Sequence, residues 1–211
     1  MIRLDLSDKL IHLIKGATAA EALATFDQII RDGALRGGNG TIKGPWRCVC
    51  FTETPLANLA QALSLRSAQP LRYFPAGIMV SKQWLFERGG RPVIYQPDDD
   101  YEKLHADLKW RHVRYDLSDF APVDFTWERE WRIRTDWLPF GPGEVTLVCP
   151  TRAWIDRLID PHTARINREI EEIAMSMGGE QAAHYAVKKF PWYYLVLEDL
   201  GVPMRDEVRL V

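Results

Sequence analysis

The sequence contains few cysteines, and they do not form a set. There are three, an odd number, which is typical of reduced thiols in a cytoplasmic protein and not of a disulfide-bonded secreted one. Cys48 and Cys50 fall on one face of a predicted strand, but no second Cys-x-Cys pair exists to complete a zinc site. We therefore predict no bound metal.

Long apolar runs and an excess of one charge are also missing. No run approaches the ~20 residues that cross a bilayer, and the first six residues, MIRLDL, carry charges that the apolar core of a signal peptide lacks. The net charge of -2 gives no general reason to expect nucleic acid or an anionic membrane as a partner. A cytoplasmic protein without membrane contact is the expectation.

The composition indicates one ordinary globular unit. The chain has 211 residues, of which 46% are hydrophobic and 27% charged, and we find no repeat, linker or low-complexity tract. Mixed helix and strand patterns predict a single α+β domain, with residues 1–140 as its core and residues 141–211 as a strand–helix extension packed on it. Eight tryptophans predict aromatic walls in the core or a stacking pocket.

The chain is organised around residues 125–134, FTWEREWRIR. Read as one β-strand, this segment places Glu128, Glu130 and Arg132 on one face and the apolar Trp127 and Trp131 on the other. Two carboxylates on one strand face suit a sugar-binding or glycosyl-transferring site. A solvated, self-neutralising strand face is the simpler alternative.

Other segments show the periods of strands and helices in turn. Strands are predicted over residues 10–14, 46–53, 73–80, 92–95 and 144–149, helices over residues 19–31, 55–64, 81–86, 151–159 and 164–177, and a last aromatic strand ends the segment 188–197. The strand 144–149 is a candidate hairpin partner of the central strand. Gly77 leaves room for a close approach to its backbone. His12 is either a packed histidine with one backbone partner or a ligand donor at a strand edge.

Several short motifs resemble those of a known family in the same order. They are residues 50–56 (CFTETPL), 73–78 (YFPAGI) with 82–84 (KQW), 92–95 (PVIY) and 127–132 (WEREWR). Together they look like the landmarks of the AbiGi-type antitoxin family of abortive phage resistance, over roughly residues 10 to 135. That group is in turn similar, more distantly, to DarT-like and other ADP-ribosyltransferase folds.

The resemblance implies a split, mostly antiparallel pair of β-sheets with flanking helices around a cleft for NAD, the substrate. It implies His12 at the adenosine-side ribose or amide, Tyr73 near the nicotinamide, and Glu130 as the catalytic carboxylate, with Glu128 beside it. The family's first-motif arginine has no assured counterpart, although Arg47 is a candidate. The Ser-Thr-Ser strand of the family is absent.

Two further assignments complete the predicted site. Trp84 is an alternative to Tyr73 as an aromatic wall, and Arg132 either meets the pyrophosphate of NAD or neutralises the glutamates. The expected function is cleavage of the nicotinamide–ribose bond of NAD in a phage-defence or toxin–antitoxin system. The alternative is a non-catalytic antitoxin or interaction protein that binds a cognate partner. Nucleic acid enters only as one candidate acceptor, beside protein and water.

Overall fold

The protein is an α+β structure built on one large sheet. The computed structural model describes residues 7–40, 42–56, 58–59, 73–118, 122–177 and 190–210. A seven-stranded, mostly antiparallel sheet has the strand order β11-β10-β4-β1-β3-β8-β5. Two small two-stranded sheets pair β2 with β9 and β6 with β7. The predicted fold class and its antiparallel character are confirmed at this level.

The described strands are short. They are β1 (Lys9–Leu13), β2 (Ala34–Arg36), β3 (Cys48–Thr52), β4 (Gly77–Ser81), β5 (Arg91–Pro92), β6 (Ile94–Gln96), β7 (His112–Arg114), β8 (Glu130–Arg134), β9 (Trp137–Pro139), β10 (Thr146–Cys149) and β11 (Tyr193–Val196). The described α-helices are α1 (Ala19–Asp32), α2 (Lys82–Glu87) and α3 (Arg152–Met177), and 3-10 turns cover Asp98–Lys103, Ala106–Arg111, Thr126–Glu128, Glu198–Leu200 and Asp206–Val208.

Helix α1 follows from local signals at both ends. The Thr18 hydroxyl accepts the Glu21 backbone N–H at 3.2 Å, and the Glu21 carboxylate accepts the Ala17 N–H at 2.9 Å, so two otherwise unbonded N–H groups are satisfied. Gly33 ends the helix in the left-handed conformation, with φ 58°. The predicted start and end of this helix are confirmed.

The core lies on the sheet face that α1 and α3 cover. Leu10 of β1, Phe51 of β3 and Trp131 of β8 are buried there together with Phe26 of α1 and Trp154 of α3. The opposite face carries a smaller cluster around Ile11 and Val148. Since β10 pairs with β4 and α3 packs into the same core, these two elements belong to one structure with the first half of the chain.

The sheet is almost open between β1 and β3. These neighbours share one paired position, Ile11 with Thr52, whereas β1 and β4 pair over five positions. Strands β1 and β3 are therefore paired only at Ile11 and Thr52 and separate beyond that position. This separation provides the space in which the candidate site lies.

Some predicted elements are wrong. The predicted helices 151–159 and 164–177 are one helix that runs through Pro161. Pro161 has no backbone N–H, so the carbonyl of Arg157, one turn earlier, has no helical N–H partner there. The strand 144–149 is no hairpin partner of β8, because it pairs with β4 and, in parallel, with β11. Three strands of three residues each, β2, β7 and β9, were not predicted.

Two predictions reach beyond the described residues. The helix predicted over residues 55–64 and the start of the segment 188–197 lie partly outside them. Among the helices that the structure describes, none combines the length and apolarity that a bilayer crossing requires.

Candidate functional site

A cavity of about 900 Å³ opens between β1 and β3. One wall is residues 11–15, and the other is the β3–β8 pair with the turn that precedes β8. Ligand pockets commonly measure about 300–1,000 Å³. Five predicted site residues line it: His12, Tyr73, Glu128, Glu130 and Arg132.

The central segment 125–134 is not one strand, and this prediction is wrong in its first half. Thr126–Glu128 is a 3-10 turn, Arg129 has the left-handed φ of 44°, and β8 begins only at Glu130. Trp127, predicted on the core face, is 50% exposed and lies at the cavity. Glu128 and Glu130 still reach the same cavity, but from a turn and a strand end.

Glu130 and Arg132 form a buried ion pair. Arg132 Nε donates to one carboxylate oxygen at 2.8 Å and its terminal nitrogen to the other at 3.1 Å, while its third nitrogen donates to the carbonyls of Trp110 and His112 at 3.1 and 2.9 Å. Burial lowers the pKa of Arg132, but the charge and hydrogen bonds of Glu130 outweigh burial and raise it. Arg132 therefore neutralises Glu130 and has little capacity left for a ligand phosphate.

Thiols and a phenol complete the surroundings of Glu130. Because Thr52 pairs with Glu130 and Cys50 with Arg132, these side chains share a sheet face. Burial, reinforced by the charge of Glu130, raises the pKa of the Cys50 thiol. Burial raises the pKa of the Tyr95 hydroxyl to about 12, and this hydroxyl accepts the Glu130 backbone N–H at 2.9 Å. These groups stay protonated near neutrality and surround the carboxylate without adding charge.

His12 is held as a neutral imidazole. Its Nδ1 lies 2.8 Å from the Cys50 carbonyl, and because a carbonyl only accepts, Nδ1 carries the proton. Burial lowers the pKa of His12 below 6.5, and Lys15 lowers it further. In the neutral ring Nε2 is then an acceptor. His12 has one backbone partner, as the first alternative predicted. It also lines the cavity, but from an interior strand and with an acceptor nitrogen, not as the ligand donor at a strand edge of the second alternative.

This lowered pKa predicts how stability depends on pH. Unfolded His12 takes up a proton near pH 6.5, whereas folded His12 does so only at lower pH. The stabilisation is therefore complete above pH 6.5 and is lost as the pH falls from 6.5 to the folded pKa, with each unit between the two pKa values worth about 1.4 kcal/mol. Urea unfolding at pH 7.5, 6.5 and 5.5 measures the free energy of unfolding. As the pH falls, this free energy should decrease less for His12→Gln than for wild type. The control is His105→Gln, and equal slopes for His12→Gln and wild type would contradict the assignment.

Two predicted site residues lie elsewhere. Arg47 Nε contacts Asp136 at 2.7 Å, and its terminal nitrogen donates to the Gly37 carbonyl at 2.6 Å. The Trp84 indole N–H donates to Glu144 at 2.9 Å, and its ring stacks with the guanidinium of Arg88. Neither lines the cavity. Tyr73 does, with the Lys15 ammonium 5.7 Å from its ring centre.

The cavity is lined by five cations, and four of them have carboxylate partners. These pairs are Arg36 with Asp32 at 3.0 Å, Lys43 with Asp98 at 3.4 Å, Arg114 with Asp116 at 2.8 Å, and Arg132 with Glu130 at 2.8 Å. Within the described part of the chain, Lys15 is the one cavity cation that forms no ion pair. Lys15 is exposed beyond the end of β1, so its charge is available to an anion.

Comparison with known proteins finds no match. No family model matches the chain, nor does any curated protein or solved structure. Over the described residues, no group of three or more His, Cys, Asp or Glu side chains could hold a metal ion. The site must therefore be interpreted from its own geometry.

Sequence reasoning missed Lys15, because no motif contains it. Its significance appears only when the ion pairs of the other cations are known. The residues that fix the turn before β8 were also missed as functional, although Thr52 and Thr54 lie within the motif at residues 50–56. The motif contains both threonines, but the sequence does not show that their hydroxyls bind the carbonyls of Glu128 and Trp127.

Proposed function

We propose that this chain is an NAD-consuming, ADP-ribosyltransferase-like enzyme of a bacterial phage-defence or toxin–antitoxin system. The observation that carries the proposal is that two carboxylates, Glu128 and Glu130, and a neutral His12 line one cavity of about 900 Å³. The four motifs alone support the defence setting.

The proposed reaction breaks the bond between the ribose C1′ and the nicotinamide nitrogen of NAD. The bonding electrons leave with nicotinamide, and the sugar passes through an oxocarbenium-like state. A carboxylate can accept a hydrogen bond from the ribose 2′-OH and face the positively charged sugar. Such a carboxylate stabilises the oxocarbenium-like state more than it stabilises the substrate. An acceptor hydroxyl or water then bonds to C1′ and gives its proton to a base.

Glu130 suits the first role because its ion pair with Arg132 fixes its position. Arg132 donates one hydrogen bond to each carboxylate oxygen of Glu130. Each of these oxygens has about two lone pairs, so the carboxylate can still accept a hydrogen bond from the 2′-OH. Glu128 sits beside it in the turn and lines the same cavity. We assign Glu128 to orienting or deprotonating the acceptor.

Lys15, and not Arg132, is the residue we assign to the pyrophosphate. Arg132 is committed to Glu130 and two carbonyls, whereas Lys15 has its charge at the cavity edge. Lys15 follows β1 and the glutamates lie at β8, with β3 between these strands. A ligand that is anionic in its middle and becomes cationic at one sugar fits this separation of charge.

Titration of NAD with calorimetry tests the function and this assignment together. We expect Lys15→Ala to weaken binding of NAD and of ADP-ribose about tenfold, since a charge-assisted contact is lost. Nicotinamide riboside, which has no pyrophosphate, should bind wild type and Lys15→Ala with equal affinity. Lys9→Ala removes an exposed lysine at the other end of β1 and is the matched control. Absence of NAD binding at millimolar concentration would contradict the proposal.

One observation favours a second function, that of a non-catalytic interaction protein. Both oxygens of Glu130 are already bonded to Arg132, which is also how a purely structural pair would look. This alternative predicts a stable complex with a partner protein and no release of nicotinamide. A chromatographic assay for free nicotinamide distinguishes the two.

A further inference from the structure

Three consecutive carbonyls before β8 accept hydrogen bonds from residues 52–54, the last residue of β3 and the two that follow it. The Thr54 hydroxyl donates to the Trp127 carbonyl at 2.6 Å, the Thr52 hydroxyl to the Glu128 carbonyl at 2.5 Å, and the Glu53 backbone N–H to the Arg129 carbonyl at 3.2 Å. Two of these bonds come from side chains, so they depend on residue type and not only on backbone pairing.

The bound segment is one that needs external support. A 3-10 turn of three residues is followed by Arg129 at φ 44°, a conformation that residues with a Cβ rarely adopt. Such backbone persists where its surroundings fix it. Residues 52–54 supply that fixation from more than 70 positions earlier in the chain.

Residues 52–54 are themselves anchored from the other sheet face. The Glu53 carboxylate accepts the Lys82 ammonium at 2.5 Å and the Trp131 indole N–H at 2.7 Å. The Thr52 hydroxyl also accepts the Thr54 N–H at 3.1 Å. The end of β3, the start of α2 and β8 are thereby joined at one point.

We propose that Thr52 and Thr54 are positioning residues that set where Glu128 and Glu130 present their carboxylates to the cavity. Removing a hydroxyl removes one hydrogen bond to the turn and lets Glu128 move relative to Glu130. The catalytic consequence rests on the function proposed above. The positional consequence does not, because it concerns the turn itself.

The test compares Thr52→Val, which keeps the shape and removes the hydroxyl, with Thr52→Ser, which keeps the hydroxyl. Thr135→Val is the control, since its hydroxyl donates to the carbonyl of Trp137, the first residue of β9, away from the cavity. We expect Thr52→Val to lower kcat for nicotinamide release about ten- to a hundredfold with KM for NAD nearly unchanged. Thr52→Ser should restore most of kcat, and Thr135→Val should not lower it.

Amide hydrogen exchange over residues 126–130 provides a second measurement that needs no catalysis. We expect exchange there to be about tenfold faster in Thr52→Val than in wild type and near the wild-type rate in Thr52→Ser. Unchanged exchange in Thr52→Val would overturn the inference, as would faster exchange with unchanged kcat in an active enzyme. A wild type that releases no nicotinamide would contradict the proposed function alone, and exchange would then decide the positional role.

Discussion

Glu130→Gln should lower the rate of nicotinamide release by about 10²–10³-fold, because a neutral amide cannot stabilise the positive sugar as a carboxylate does. The substitution keeps the size of the side chain and its place at the start of β8. NAD affinity should change much less than the rate, since the lost interaction is strongest in the transition state. Single-turnover release of nicotinamide, with calorimetry on the same samples, measures both.

The same substitution also affects folding. Glu130 and Arg132 side chains are 11% and 4% exposed, and breaking a buried pair by removing one charge costs about 3–5 kcal/mol. The double variant Glu130→Gln/Arg132→Met removes both charges and should be more stable than the sum of the single effects predicts, by about 1–3 kcal/mol. A double variant that recovers stability but not activity would separate the two roles of Glu130.

Glu102→Gln is the matched control for this experiment. Glu102 pairs with Lys109 as Glu130 pairs with Arg132, but its side chain is 78% exposed, and it does not line the cavity. Its replacement should leave nicotinamide release unchanged. Equal activity in Glu130→Gln and Glu102→Gln would contradict the catalytic assignment and favour the non-catalytic function.

Trp154→Ala should be among the most destabilising substitutions in the chain. Trp154 is fully buried, its ring lies 5.9 Å from that of Phe26 in α1 and 6.5 Å from that of Phe74, and its indole N–H donates to the Val208 carbonyl at 3.1 Å. Removing such a side chain costs about 3–5 kcal/mol, because the cavity left behind only partly closes. Chemical unfolding followed by circular dichroism measures the loss.

Two further variants separate the contributions of the Trp154 ring and its indole N–H from the general effect of removing a tryptophan. Trp154→Phe keeps the ring contacts but leaves the Val208 carbonyl without the indole N–H, and we expect a loss of about 1–3 kcal/mol. Trp137→Ala removes a 42% exposed indole that stacks on Arg36, and about 1 kcal/mol or less is expected. Similar losses for Trp154→Ala and Trp137→Ala would show that α3 contributes little to the core.

Local signals predicted those parts of the fold that depend on neighbours in the chain. Helix α1 has its capping residues within three positions of its start and a glycine at its end. Trp131 was placed in the core by alternation, and it is buried. The strand prediction failed at Arg129, because its left-handed backbone is fixed by residues 52–54, which no local pattern connects to it.

The candidate site was predictable to a similar degree. His12, Glu128 and Glu130 were predicted as site residues from the sequence and line one cavity. Arg47 and Trp84 were named in the same way and have other partners, Asp136 and Glu144. Side-chain type indicates which chemistry is available, but pairing decides which charges remain for a ligand. Pairing depends on contacts between residues far apart in sequence, such as those that reach Arg132 from Trp110 and His112.

Gly77 allows β4 to pack closely against β1 beside the His12 carbonyl. A Cβ atom at this position would lie 2.1 Å from the His12 carbonyl oxygen, closer than two atoms can approach. Even alanine would therefore push the His12 backbone away from β4 and toward the opening of the sheet. The width of the opening between β1 and β3 therefore depends on Gly77, which lies on β4, outside that opening. A single methyl group at position 77 would narrow the entrance without changing the type of any cavity residue.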